Sequence, residues 1–199
     1  CLGIEKSENK KKSLDCLNGM LLYGCNAVGK SSLMKAVGLN LIMAQAGMFV
    51  SSAEFIYKPF SYIFTRISDN DNIFKGQSSF AVEMSELRSI LKRSDANSIV
   101  LGDELCSGTE SVSAQSIFAS SVIRLASKKV NFIFATHLHE LYKMELIKNL
   151  ANVKSFHLKV IFDEETKKLI YDRKLEYGNG PAIYGLEVCK AMDLDKEFL

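Results

Sequence analysis

Eight consecutive residues have the types and spacing needed to hold phosphate groups. They read Gly24-Cys25-Asn26-Ala27-Val28-Gly29-Lys30-Ser31, a complete G-x-x-x-x-G-K-S pattern, and Ser32 follows them. Glycines let backbone N–H groups turn inward around phosphate oxygens, and the start of a following helix adds the positive end of its dipole. We expect the Lys30 ammonium to lie against the β- and γ-phosphates of a nucleotide, and the Ser31 hydroxyl to bind Mg²⁺.

Two adjacent carboxylates follow a second apolar segment. Asp103 and Glu104 come directly after Ile99-Val100-Leu101-Gly102. Open α/β sheets bind their ligands at the carboxyl ends of strands. We predict that Asp103 holds Mg²⁺ through water and that Glu104 is the general base that polarises the attacking water. Taken alone, the same pair is also typical of a helix cap.

A histidine ends a third apolar segment, Phe134-Ala135-Thr136-His137. Because imidazole can donate or accept a proton near neutral pH, His137 could sense a γ-phosphate or orient water. We interpret His139 and His157 as structural, since no spacing of histidines and carboxylates indicates a metal site of their own.

The elements that must position these residues follow from apolar periodicity. Short apolar runs predict buried strands at residues 20–23, 99–101 and 131–135, with a further strand at 62–67. Helices are predicted over 31–46, 81–91 and 112–127, and the alternation with strands indicates a largely parallel α/β sheet covered by helices. Charged residues 5–13 and polar residues 68–72 indicate loops. Segments 155–162 and 168–175 predict a β-hairpin, and a final helix is expected near 183–192.

Composition limits the function classes. The chain has 199 residues, with 47% hydrophobic and 24% charged, which are ordinary globular values, and we interpret 1–199 as one domain excised from a longer protein. A net charge of +2 argues against a dedicated nucleic-acid-binding module. No apolar run is long enough to cross a membrane. The sequence has five cysteines: Cys1, Cys16, Cys25, Cys106 and Cys189. They show no CxxC pair, which favours a reducing intracellular compartment over a disulfide framework.

The motifs together resemble the ABC-like ATPase domain of the MutS mismatch-repair family. The resemblance spans residues 20–194 in the family's order. Besides the phosphate loop with Asn26, it includes Met43-Ala44-Gln45-Ala46-Gly47, Phe64-Thr65-Arg66-Ile67 with Asp69 and Asp71, Ser78-Ser79-Phe80-Ala81-Val82-Glu83-Met84-Ser85-Glu86, Gly108-Thr109, Glu140-Leu141 and Tyr184-Gly185. Ser107 departs from the family's usual basic residue. Residues 26–35 and 106–111 are similar in sequence to the divergent branch found in giant viruses and octocoral mitochondria.

The resemblance implies ATP or ADP with Mg²⁺ as ligands, and a second ATPase subunit, expected to form a homodimer, as partner. In ABC-like dimers, the Ser78 position serves the γ-phosphate bound on the other subunit. DNA would be contacted through domains outside this chain, and ATP-driven dimerisation would set the state of a clamp on DNA. We expect the isolated domain to be a weak ATPase, because cutting it from its neighbours removes dimer contacts.

Other P-loop proteins and a non-enzymatic module are the alternatives to this function. An ABC transporter subunit would need an L-S-G-G-Q signature, which the sequence lacks. An SMC-like ATPase would need a long coiled-coil insertion between the two nucleotide motifs, and the spacing from Lys30 to Glu104 leaves no room for one. A P-loop kinase fits the tandem carboxylates less well than water activation does. A nucleotide-binding dimerisation module with little turnover is the remaining alternative.

Overall fold

A computed structural model describes residues 17–25, 28–67, 79–106, 109–163, 165–166 and 168–180. These residues have an α/β architecture built on one six-stranded sheet. The strands are β1 (Gly19–Tyr23), β2 (Tyr62–Arg66), β3 (Ser98–Asp103), β4 (Asn131–Thr136), β5 (Val153–Asp163) and β6 (Lys168–Tyr177), and their order across the sheet is β2-β3-β4-β1-β5-β6.

Five strands run parallel, and only the pairing of β5 with β6 is antiparallel. Every residue of β1 and of β3 is buried. Parallel strands covered on both faces read as continuous apolar runs, because neither face meets water. This explains why the central strands have an apolar signal without polar alternation, whereas the β5–β6 hairpin is partly exposed.

In the described ranges, three long helices cover the sheet: α1 (Lys30–Gln45), α2 (Ser79–Arg93) and α3 (Ser111–Ser127). A 3₁₀ turn (His139–Lys143) and a single helical turn, α4 (Glu145–Lys148), follow β4. Successive side chains of β1 point to opposite faces. Leu21 and Tyr23 pack in the core that includes Phe118 of α3, whereas Met20 and Leu22 pack in the core that includes Met34 of α1.

The predicted strands and long helices are confirmed within two residues at nearly every boundary. The sequence did not predict the 3₁₀ turn or α4, which are shorter than the window that periodicity needs. The predicted loops at 5–13 and 68–72 and the final helix near 183–192 lie outside the described residues. In the part of the chain that the structure describes, no helix is long and apolar enough to cross a membrane.

A substitution in β1 tests how tightly β1 and β4 are packed. Gly19 lies opposite Phe132, and a Cβ built on Gly19 would lie 2.7 Å from both Cε carbons of that fully buried ring. Overpacking of this kind costs about 1–3 kcal/mol. Gly19→Ala should therefore lower the free energy of unfolding by that amount in urea denaturation of the full chain. Exposed Ser120→Ala on α3 is the control, and equal stability of the two variants would contradict the packing described.

Candidate nucleotide and metal site

The sheet register brings three strand ends to one level. Tyr23 at the end of β1 pairs with Thr136 at the end of β4, and Asp103 at the end of β3 pairs with Ala135. The predicted phosphate-binding loop, the second carboxylate and the predicted sensor histidine each follow one of these ends. They therefore emerge side by side at the carboxyl edge of the sheet, where open α/β sheets bind ligands.

The backbone between β1 and α1 requires its two glycines. Gly24 has φ 148° and Gly29 has φ 108°, values that L side chains rarely adopt. Helix α1 begins at the next residue, Lys30, and its first turn contains no acidic side chain. The first N–H groups of a helix have no partner within it, so this terminus can receive an anion. Asn26 and Ala27 of the loop lie outside the described residues.

The side chain of Lys30 lies inside the loop. Its Nζ donates to the carbonyl oxygens of Gly24 at 2.8 Å and Cys25 at 3.0 Å, and the side chain is only 4% exposed. An ammonium has three donors, so these two bonds leave a third for another acceptor. The lysine is thus oriented by the loop it is predicted to serve. Ser31 is half-buried, and Ser32 is exposed.

The Asp103 carboxylate has an unsatisfied oxygen. The residue is buried, and Oδ1 has no hydrogen-bond partner. Leaving a buried carboxylate oxygen unpaired is costly, which makes this atom a candidate ligand for a cation. Within the described ranges, no group of three or more His, Cys, Asp or Glu could hold a metal ion. The Asp103 carboxylate fits Mg²⁺, because this ion takes one or two protein oxygens and completes its shell with waters and substrate phosphates.

Glu104 lies between Lys30 and His137. Its Oε1 is 3.8 Å from Lys30 Nζ and 3.9 Å from His137 Nδ1, distances that leave the carboxylate close to both without a direct hydrogen bond to either. Its backbone N–H donates to the carbonyl oxygen of Ala135 at 3.0 Å. The structure thus brings together the three predicted polar side chains, and about a third of the Glu104 side chain faces solvent.

His139 lies in the same neighbourhood, although the sequence indicated only a structural role. Its ring centroid is 5.6 Å from that of Tyr23, and its Nδ1 is buried without a partner. Burial lowers the pKa of His139, and the nearby His137 and Lys30 lower it further. The uncharged form is therefore favoured. Its contact with a strand-end tyrosine could not be read from spacing along the chain.

Glu83 is the residue that sequence reasoning missed as part of this region. It lies on α2, is buried, and its Oε1 accepts the backbone N–H of Cys106 at 2.7 Å. The only sequence signal was its place within the Ser78–Glu86 segment quoted above, where no role was assigned to it. Burial raises the pKa of the Cys106 thiol to about 11, and the Glu83 charge adds to the rise. Burial also raises the pKa of Cys25, and both cysteines are free.

A cleft of about 340 Å³ opens beside His137. It lies between the start of α3 and the turn that follows β4. Its lining combines apolar and polar side chains from the loop after β3, from α3 and from the histidine turn: Leu105, Cys106, Thr109, Ser111, Ala114, Gln115, His137, Leu138, His139 and Glu140. The cleft gives access from solvent to the edge of the predicted site.

Several residues of the sequence prediction lie outside the described part of the chain. Ser78, predicted to act on a partner's γ-phosphate, lies outside the described residues, although α2 begins at the next residue. The same holds for Asp69, Asp71, Ser107-Gly108 and Tyr184-Gly185.

Comparison with known proteins decides the family. Residues 20–199 match the family model described as MutS domain V. The chain belongs to the MutS family. It is 42% identical over its full length to a mimivirus protein named as a mutS homolog, from Acanthamoeba polyphaga mimivirus. It is 43% identical over 90% of its length to a mitochondrial DNA mismatch repair protein mutS homolog of Sarcophyton glaucum.

Bacterial MutS proteins are also similar. The DNA mismatch repair protein MutS of Geobacillus sp. is 34% identical over 94% of this chain. The chain spans 18% of the length of the viral and mitochondrial relatives and 21% of the length of the Geobacillus protein. It therefore corresponds to about a fifth of a MutS protein.

Proposed function

We propose that this chain binds ATP with Mg²⁺ and hydrolyses it, as the ATPase domain of a MutS-like DNA mismatch-repair protein. In this proposal, ATP binding drives dimerisation and thereby sets the state of a clamp on DNA. The observation that carries the proposal is the convergence of Lys30, Asp103 and Glu104 at one edge of the sheet. Glu104 Oε1 lies 3.8 Å from Lys30 Nζ, and Asp103 has an unpartnered buried oxygen.

The loop and the start of α1 form the nucleotide-binding part of the site. The third donor of Lys30 would reach a phosphate oxygen, and the first helical N–H groups would bind the others. Because the loop carbonyls already hold the ammonium, little side-chain entropy remains to be lost on binding. The nucleotide-binding residues in this proposal are Gly24, Cys25, Asn26, Ala27, Val28, Gly29, Lys30, Ser31 and Ser32.

Asp103 and Ser31 would hold Mg²⁺, Asp103 partly through water. When bound, Mg²⁺ would supply positive charge to the β- and γ-phosphate oxygens. The support on this chain is the buried Oδ1 atom of Asp103, which lacks any other partner. Ser31 is the first residue after Lys30, so its hydroxyl lies on the turn that begins α1.

Glu104 would remove a proton from the attacking water. As the water oxygen bonds to the γ-phosphorus, the bond from that phosphorus to the bridging oxygen breaks, and ADP leaves. His137, whose Nδ1 is 3.9 Å from Glu104 Oε1, would orient the water or contact the γ-phosphate.

The complete site would need a second subunit. Ser78 immediately precedes α2, and in ABC-like dimers that position serves the γ-phosphate of the opposite subunit. The partner is expected to be a second copy of the chain, and DNA would be held by other parts of the longer protein. The higher identity to the viral and mitochondrial relatives, 42% and 43% against 34% for Geobacillus MutS, supports placing the chain in their divergent branch.

Glu104→Gln separates binding from hydrolysis. The amide cannot accept the proton, so hydrolysis should fall by about two or more orders of magnitude while Mg²⁺-ATP binding is retained. Binding by calorimetry and phosphate release at high protein concentration measure the two effects. Glu145→Gln, an exposed change on α4, is the matched control.

Two results would redirect the proposal. Wild-type turnover in Glu104→Gln would move the base to another residue, with His137 as the first alternative. ATP binding without measurable turnover in the wild-type chain would instead favour a nucleotide-binding dimerisation module.

Mixing two impaired variants tests the composite site. Glu104→Gln damages the subunit's own nucleotide site, whereas Ser78→Ala damages the site of its partner. In a mixed dimer, both lesions fall on one site and the other is intact. Mixing should therefore restore up to about a quarter of wild-type activity per subunit, since random pairing makes half the dimers mixed. Specific activity of the wild type should also rise with protein concentration, because dilution dissociates the dimer.

The matched control mixes Glu104→Gln with Lys30→Ala. Both changes damage the subunit's own site, so every dimer lacks an intact site and activity should stay at the level of the separate variants. Flat specific activity across a wide concentration range, together with no recovery in the first mixture, would replace the composite site with a self-sufficient monomeric ATPase.

A further inference from the structure

The turn after Asp103 has a strained backbone that carries the proposed base. Glu104 has φ 46° and Cys106 has φ 68°, so two non-glycine residues lie in the left-handed region within three positions. Each such residue is unfavourable by itself and persists only where its surroundings hold it. Leu105 and Cys106 are buried, so this part of the turn is packed against the core.

Two hydrogen bonds donated by backbone N–H groups hold this turn to its neighbours. The Glu104 N–H donates to the carbonyl oxygen of Ala135 at 3.0 Å, which ties the start of the turn to β4. The Cys106 N–H donates to Glu83 Oε1 at 2.7 Å, which ties the turn to α2. The second bond is buried and has a carboxylate acceptor, and such charge-assisted bonds are roughly twice as strong as neutral ones.

From these contacts we infer that Glu83 is a positioning residue for hydrolysis, acting on Glu104 through the backbone of Cys106. This inference rests on the proposed function and deepens it. Without the Glu83 oxygen, the Cys106 N–H would be buried and unpaired. The left-handed turn would then lose one of the two hydrogen bonds described above. The carboxylate of Glu104 would then no longer be held beside Lys30 and His137.

The same bond links the two halves of the proposed composite site. Glu83 lies four residues after Ser79, the first residue of α2. One end of this helix therefore follows Ser78, which is proposed to contact the partner's nucleotide. One turn further along, the helix holds the loop that carries the chain's own base. A shift of α2 on dimerisation would reach Glu104 through this contact.

Three substitutions separate the reach of the acceptor from its charge. Glu83→Gln keeps an oxygen at the same reach without the charge, Glu83→Asp keeps the charge but is one methylene too short, and Glu83→Ala lacks both. We expect kcat to fall about ten- to a hundredfold for the aspartate and alanine variants, because misplacing a reacting group by about 1 Å has an effect of that size. The affinity for Mg²⁺-ATP should stay within about threefold. Glu83→Gln should keep most of the wild-type kcat, because its amide oxygen can still accept the Cys106 N–H.

Glu86→Ala is the matched control on the same helix. It removes a half-exposed carboxylate that lies 2.9 Å from Arg66 Nε and leaves the Cys106 contact intact. Its kcat should equal that of the wild type. Thermal denaturation of each variant of the full chain shows whether it is folded under the assay conditions.

Alkylation of Cys106 gives a readout that does not depend on hydrolysis. In the wild type this fully buried thiol, with its pKa raised to about 11, should react slowly with iodoacetamide at pH 8. Loosening the turn should speed its labelling several-fold in Glu83→Ala and Glu83→Asp but not in Glu83→Gln. Peptide mass spectrometry measures this, with Cys25 in the same sample reporting any general loosening.

The outcomes are separable. If wild-type hydrolysis depends on Glu104 but Glu83→Ala and Glu83→Asp keep wild-type kcat and slow Cys106 labelling, the positioning role is wrong and the proposed function stands. If Glu83→Asp is active and Glu83→Gln is not, hydrolysis depends on the charge at residue 83 and not on the reach of its oxygen. That result would also overturn the inference. If the wild type hydrolyses no ATP, the proposed function fails, and Cys106 labelling alone still shows whether Glu83 holds the turn.

Discussion

The parallel register of β1, β4 and β3 is the constraint on which the rest of the site depends. Because Tyr23 pairs with Thr136 and Asp103 pairs with Ala135, three chain segments leave the sheet at one height. Lys30, Glu104 and His137 follow these strand ends, and Asp103 is the last residue of β3. A slip of one residue in any pairing would exchange the side chains of the two buried faces and separate these groups, so core packing and site geometry are fixed together.

The site is arranged in advance by interactions within the chain. Loop carbonyls hold the Lys30 ammonium, and the Ala135 carbonyl and Glu83 hold the strained turn, whereas Asp103 Oδ1 is left without a partner. Groups held in this way need little reorganisation when a ligand binds. The structural cost is a buried unsatisfied oxygen and two left-handed non-glycine residues, features that are concentrated at functional sites.

Much of this arrangement could be predicted from sequence. The G-x-x-x-x-G-K-S pattern, the strand-end carboxylates and the long elements are local signals, and the structure has the long elements nearly where expected. The order of strands, the bond from Glu83 to Cys106 and the ring contact of His139 with Tyr23 could not be predicted. Each depends on which distant segments meet, and residues 83 and 106 belong to separate periodic patterns with nothing local to join them.

The central claim is that the loop around Lys30 binds the phosphates of ATP. Calorimetric titration of the full chain with Mg²⁺-ATP, comparing wild type with Lys30→Ala, tests it most directly, with exposed Lys92→Ala as control and circular dichroism to confirm that each variant is folded. We predict affinity at least about tenfold weaker for Lys30→Ala, which corresponds to about 1.4 kcal/mol or more of binding free energy. Unchanged affinity in a folded Lys30→Ala variant would contradict the assignment of the loop.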